Sequence, residues 1–318
     1  YLPQESDLFD EERLRIAMGR ASRLHRQSLT RYNNADMGTP ALRQAVARRA
    51  LHMGCTLAAE HIITTASCTQ AVSLCLQAVT QPGDVVVVES PTFYAALQAL
   101  ERLHLRAVEV ATDPKEGVDL AALAELLARQ KVAACWFMPS FQNPLGALMP
   151  VARRQALVAL LAQHGVPLIE DDVYGELHAG TRRLPPSKAC VREGGVLHCS
   201  SFSKCLAPGY RVGWAAAGRY APQVERLKMM TSLATAIPPQ LAVADYLALG
   251  GYDRHLRRLR EALATQQRHA LRLMERHFPA GTRVTRPEGG YFIWLELPPS
   301  VNALALHQRA RDCAISTA

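Results

Sequence analysis

Lys204, set among small and hydroxyl residues in the run SSFSKCLAPGYRVGW at 200–214, is the first candidate for chemistry. An apolar run at 196–199 precedes it and reads as a buried strand; a Pro208–Gly209 turn and Arg211 follow. An ammonium at the end of a buried strand is costly unless its charge is used or removed. A desolvated lysine sheds its proton more readily and becomes a nucleophile able to form a Schiff base with an aldehyde. An ordinary lysine on a surface turn fits the same residues, and the stretch by itself does not choose.

Glu170, Asp171 and Asp172, with Tyr174 close behind, follow the apolar run at 166–169. Carboxylates leaving a buried strand need a partner: a cation, a metal or a protonated ring nitrogen. A metal would want further ligands of matched type, and no other loop supplies them. Ser67, Cys68, Thr69 and Gln70 open a helix directly after a strand. Free backbone N–H groups there suit a phosphate, although Ser67 is equally a plain N-cap. Phe93 and Tyr94 place aromatic rings after another strand, for a flat ligand or for core packing. Asn143, in SFQNPLG at 140–146, either bonds a ligand oxygen or stabilises its own turn. Taken together these groups match a phosphorylated pyridine aldehyde. Lysine forms the imine, Asp171 keeps the ring nitrogen protonated, the amide and phenol orient the ring oxygen, and the helix start takes the phosphate.

The elements that would carry these loops alternate regularly. Strands are expected at 61–66, 84–89, 105–110, 132–138, 166–169, 197–200 and 212–217, and helices at 41–52, 69–79, 93–103, 120–130 and 151–164. Near-continuous β-branched strands between helices predict an α/β fold, a mainly parallel sheet covered by helices on both faces. Ligands of such sheets sit at the carboxyl ends of the strands, where all the candidate loops fall. After 221 the pattern turns helical (221–234, 241–249 and 254–278), with a break expected at Pro238 and Pro239. A turn into a strand at 286–297, a helix at 303–311 and the start of a strand in ISTA at 315–318 suggest a smaller, incomplete α+β domain. The expected division is an arm and helix at 1–31, a large domain at 32–235, and connecting helices with the start of a small domain at 236–318.

Composition narrows the class. Of 318 residues, 49% are hydrophobic and 20% charged, as in a globular protein. No apolar run nears the ~20 residues that span a bilayer, and no signal pattern opens the chain, so a cytoplasmic location is expected. Eight scattered cysteines form no C-x-x-C pair and read as buried free thiols rather than disulfides or a zinc site. The net charge of +8 permits a nucleic-acid partner. Yet the densest basic cluster, Arg254, His255, Arg257, Arg258 and Arg260, lies on a helical stretch without interleaved aromatics and reads as a solvated face.

The sequence resembles the class I/II aminotransferases of pyridoxal phosphate (PLP) fold type I. The motifs are NPLG at 143–146, EDDVY at 170–174, SSFSK at 200–204 with PGYRVGW after it, and PEGGYFIW at 287–294. They occur in family order over about 32–318. The resemblance implies pyridoxal 5'-phosphate on Lys204, which acts as Schiff-base lysine and proton shuttle. It implies Asp171 at the pyridine nitrogen, Asn143 and Tyr174 at the phenolic oxygen, and Phe93, or failing it Tyr94, stacked on the ring. Phosphate would be held by Ser67, Cys68, Thr69, Ser201 and Arg211, and Tyr32, in RYNN at 31–34, would reach the phosphate of the other subunit of a homodimer.

EDDVYGEL, DRHLRRLR and RPEGGYFIWLELP are similar, more narrowly, to the aminotransferase-like domain of MocR-type (GntR-superfamily) transcription regulators. That likeness implies sensing of an amino-acid or amine effector by aldimine formation, with DNA bound only through a winged helix that these residues do not include. The other expectation is a stand-alone aminotransferase that makes a 2-oxo acid. The family's substrate-carboxylate arginine is expected beyond residue 318 or absent.

Overall fold

The computed structural model describes residues 8–32, 37–191 and 194–315. The start of the expected arm, Asn33, Asn34 and most of ISTA lie outside the described residues.

An eight-stranded sheet organises the chain. Its strands are β1 (Ile62–Thr65), β2 (Val85–Ser90), β3 (Arg106–Asp113), β4 (Gly117–Val118), β5 (Ala134–Phe137), β6 (Leu168–Asp171), β7 (Val196–Ser201) and β8 (Gly213–Ala216). In space they run β1-β8-β7-β6-β5-β2-β3-β4. β3, β2, β5, β6 and β7 are parallel, whereas β8 is antiparallel to both β7 and β1, and β4 folds back on β3.

Alternation along each strand builds two cores, because successive side chains point to opposite faces. Val86, Val88, Ala134, Trp136, Ile169, Leu197 and Cys199 join one core. On that face pack α1 (Glu11–Leu24), α2 (Pro40–His52), α3 (Cys68–Val79), α4 (Tyr94–Arg102) and α8 (Ile237–Ala248), together with the buried stripe of α9 (Gly251–His277). Val85, Val87, Cys135, Phe137, Leu168 and Val196 join the other core, under α5 (Leu120–Arg129) and α6 (Val151–Gln163). The expected two-faced α/β sheet is therefore present. α7 (Ala221–Ser232), the short pair β9 (Arg283–Val284) and β10 (Leu295–Glu296), and α10 (Ala303–Asp312) complete the described elements.

Three local expectations need correction. Pro238 and Pro239 do not break a helix but sit in the first turn of α8, where the missing N–H costs no bond. In the turn into a strand expected at 286–297, the glycines at 289 and 290 hold the turn against the large sheet's loops, and the strand is confined to Leu295–Glu296. The basic cluster is not wholly solvated. His255 is buried with Nε2 2.9 Å from Cys205 O, and Arg260 donates to Glu176. Helical spacing of i, i+3 and i+4 puts His255 on the buried stripe with Tyr252, Leu256 and Leu259, which a count of charges does not reveal. Among the cysteines, Cys313 is exposed and Cys190 partly so, while Cys55, Cys68, Cys75, Cys135, Cys199 and Cys205 are buried free thiols.

Candidate functional site

β1, β2, β5, β6 and β7 end on the same side of the sheet, and the candidate loops meet there. The register fixes how closely. Gly213 of β8 lies opposite Thr65 of β1 on one side and Ser201 of β7 on the other. A Cβ on Gly213 would stand 2.5 Å from the Ser67 carbonyl carbon and 2.9 Å from Cys68 N. Only glycine lets β8 press so tightly on the start of α3. Ser67, Cys68 and Ser201 are thereby gathered around one point, with Arg211 two residues away along the chain.

Within this group, Ser67 caps α3 by accepting from Gln70 N at 3.0 Å, and Thr69 is exposed. Arg211 adopts a left-handed conformation (φ 53°) and donates through Nη1 to Ser203 Oγ and Pro208 O, both at 3.3 Å. Ser201 is buried, and its Oγ accepts from Ser203 N. The Cys68 thiol turns instead toward the sheet and donates to Asp171 Oδ1 at 3.2 Å. As the first residue of α3 it projects its side chain back over the strand ends, so any anion contact falls to its backbone.

β6 and the residue after it separate three consecutive acids by face. Glu170 points to the α6 side, where it accepts from Ser187 N (2.6 Å) and Lys188 N (3.0 Å) and meets His198 Nδ1 at 2.8 Å. Burial opposes its charge, but the His198 bond and charge, Arg154 and the Ser187 amide together lower its pKa to about 2. Asp172 pairs with the buried Arg183, whose neighbour Glu176 also takes both Arg49 and Arg260. Burial again opposes, and the three guanidinium groups outweigh it, so Glu176 is held at about 2. Asp171 points the other way, into the site, and among the described residues it forms no ion pair. Burial drives its pKa up to about 6, against the opposing bonds from Cys68 and the Val173 amide. This carboxylate is thus placed where it still needs a positive partner.

Lys204 lies in the turn after β7, half-buried. Its pKa is lowered by burial and by the Arg211 charge, with Asp171 acting in the opposite sense. Tyr174 is buried, and its phenol pKa is raised by burial and by Asp171, offset in part by a hydrogen bond from Asn143. Asn143 therefore reaches Tyr174, the pair expected at one ring oxygen. Phe93 is half-buried at the N-cap of α4, edge-on to the exposed Tyr94 with centroids 5.0 Å apart. Tyr32 lies on the surface, 75% exposed.

Sequence reasoning missed several supports. Gln142, fully buried, donates to Pro91 O at 2.7 Å and accepts from Leu145 N, tying the Phe93 loop to the Asn143 loop. Arg154 is also fully buried and spans three carbonyls, Met149, Pro185 and Pro139, which fixes both ends of the Asn143 loop. Glu89, buried and accepting from Met138 N, has its pKa raised by burial to about 8. Gly213 carried the one available signal, a glycine inside an apolar strand.

The residues present suit a phosphorylated pyridine aldehyde: a buried carboxylate without an ion pair among the described residues, a lysine of lowered pKa, an amide–phenol pair, and a glycine-cleared helix start. Comparison with known proteins agrees. The family model for aminotransferase class I and II matches residues 8–315. Over 285 residues the chain is 50% identical to the uncharacterized HTH-type transcriptional regulator YdcR of Escherichia coli, covering 90% of this chain and 61% of that protein. It is 35% identical over 257 residues to 2-aminoadipate transaminase of Thermus thermophilus, covering 80% and 64%. Among solved structures, α-aminoadipate aminotransferase LysN of Thermus thermophilus, complexed with N-(5'-phosphopyridoxyl)-L-leucine, superposes with a TM-score of 0.90 at 32% identity, covering 98% of this chain and 79% of that one. The chain spans less than two thirds of the length of the first two relatives.

Proposed function

Since this chain belongs to the class I and II aminotransferase family, we propose that it is a pyridoxal 5'-phosphate-binding domain that serves as the effector-sensing part of a MocR/GntR-type transcription regulator. The observation that carries the cofactor assignment is Asp171, a buried carboxylate without an ion pair among the described residues, set near Lys204. When bound, the cofactor supplies an aldehyde that condenses with amines and a ring that accepts electron density.

The chain's own groups divide the remaining work. Asp171 supplies a fixed negative charge that keeps a ring nitrogen protonated. Lys204 is neutral more readily than an exposed lysine, so it attacks as an amine and then moves a proton at the substrate's α-carbon. Tyr174 and Asn143 hold the ring oxygen, with Tyr174 kept as an O–H donor by its raised pKa. Ser67, Ser201, Arg211 and the backbone at Cys68 and Thr69 would hold the phosphate, and Phe93 would cover the ring. Exposed Tyr32 fits a contact with a second copy in a homodimer.

Similarity to YdcR favours the regulatory reading, in which an amino acid or amine is bound without obligatory turnover and DNA is contacted by another segment of the whole protein. Similarity to the aminoadipate transaminases favours a second reading, full conversion of an amino acid to a 2-oxo acid. Borohydride treatment of the loaded protein followed by peptide mass mapping should place the cofactor on Lys204. An adduct of equal yield in Lys204→Ala would overturn the assignment. Single-turnover mixing with an amino-acid panel separates the two readings: 2-oxo acid in amounts matching the bound cofactor supports the enzyme, and spectral change without 2-oxo acid supports the sensor.

A further inference from the structure

The motif PEGGYFIW has no part in the chemistry above, yet the structure wedges it into the site. Gly290 N donates to Leu177 O at 2.9 Å and Ala179 N to Glu288 O at 2.7 Å. A Cβ on Gly289 would stand 2.2 Å from Leu177 O, and one on Gly290 2.8 Å from Phe141 Cβ, so the turn fits only as glycine. From α9, Gln267 Nε2 holds the carbonyls of Gly289 (3.2 Å) and Gly290 (3.0 Å). The next residue reaches across. Tyr291 Oη donates to the backbone carbonyl of Lys204 at 2.6 Å. Its ring stands edge-on to Tyr174 at 6.1 Å and 70°, and Phe292 does the same at 5.3 Å and 90°. Tyr291 is thus joined to two of the residues assigned to the cofactor, from a segment anchored on a different helix.

We infer that Tyr291 is a positioning residue that couples the seating of Lys204 and Tyr174 to the seating of the 287–292 turn on α9. The inference rests on Lys204 as the cofactor-bearing residue. The hydroxyl bond fixes the Lys204 peptide, the ring contact fixes the Tyr174 phenol, and both depend on where the 287–292 turn sits. Such coupling is reciprocal: what binds at Lys204 must also steady the turn, and what moves the turn must alter binding at Lys204. In a sensor this is the route from an occupied site to the C-terminal helices.

Amide hydrogen exchange on the whole chain, cofactor-free and loaded with pyridoxal 5'-phosphate, tests this. In the native protein, loading should slow exchange at both 202–207 and 287–292. In Tyr291→Phe, which deletes one oxygen, the cofactor-free amides at 202–207 should exchange about five- to tenfold faster, the effect of one lost hydrogen bond. Loading should still protect 202–207 but no longer protect 287–292. Gln267→Ala should speed exchange at 287–292 in both states yet keep the difference between them. The inference is overturned if Tyr291→Phe retains the loading-dependent protection of 287–292, or if Gln267→Ala abolishes it equally. Native protein that takes up no cofactor would sink the reading of Lys204 instead. The cofactor-free comparison then decides alone, equal exchange at 202–207 in both proteins overturning the coupling.

Discussion

Replacing Asp171 with asparagine should stabilise the cofactor-free protein while impairing its site. The folded carboxyl has its pKa raised from 3.8 to about 6, chiefly by burial. Between those values the folded state keeps a proton that the unfolded state has released. The group's contribution to stability is therefore fully present below 3.8 and is lost as pH rises through about 6. The gap, at 1.36 kcal/mol per pH unit, is about 3 kcal/mol of stability withheld at neutral pH. An asparagine Oδ1 can still accept from the Cys68 thiol and the Val173 amide, the two bonds the carboxylate now takes, so the swap removes the charge, keeps those bonds and puts an NH2 in place of the second oxygen. Urea unfolding of the cofactor-free proteins should show Asp171→Asn more stable by about 3 kcal/mol at pH 7.5, with the advantage falling to roughly half at pH 5. Titration with pyridoxal 5'-phosphate should show the reverse order of merit, because the variant cannot hold a ring nitrogen protonated. An asparagine variant less stable than the native protein at pH 7.5, or an advantage that does not change with pH, would refute the account of Asp171 as a desolvated acid without an ion pair among the described residues.

Arg183→Met should cost about 3–5 kcal/mol at pH 7.5, because Asp172 and Glu176 lose the guanidinium they share in the interior; urea unfolding reads this directly, and a loss below about 1 kcal/mol would contradict it. Gly213→Ala should weaken pyridoxal 5'-phosphate binding about tenfold or more, since the new methyl meets the Ser67 backbone and overpacking of this kind costs about 1–3 kcal/mol. Gly180→Ala, whose Cβ meets nothing within 4 Å, is the matched control and should bind as the native protein does.

The sheet was legible because central strands such as β2 are buried on both faces and read as unbroken apolar runs, VVVV at 85–88 among them, whereas β3 is largely exposed. Direction was less so: β8 has the same apolar character as the parallel strands, and its reversal follows from the short hairpin-like path through Pro208 and Gly209. The candidate site residues stood out because all but Tyr32 lie at the end of a strand or in the loop or helix start after it, where a polar group in this architecture meets a ligand. Their supports could not. Gln142, Arg154 and Arg183 act across 51, 15 and 11 residues, and nothing in the local pattern separates a buried arginine from a solvated one. Cys68 shows the same limit, since its position at the helix start was plain but the direction of its thiol depended on α3 lying over the end of β6.

β6 also restricts how this protein can drift. Neighbours on a strand face opposite ways, so a change of one residue between 168 and 172 exchanges the faces of everything beyond it. One deletion ahead of Asp171 would drop it into the place of Glu170, beside His198 and the Ser187 and Lys188 amides, and turn Asp172 into the site. The three acids look interchangeable in the sequence, but a shift in length is not equivalent to any single substitution among them. Drift in this strand is confined to side-chain exchange at constant length, whereas the exposed turn at 180–182, a few residues further on, is free to grow.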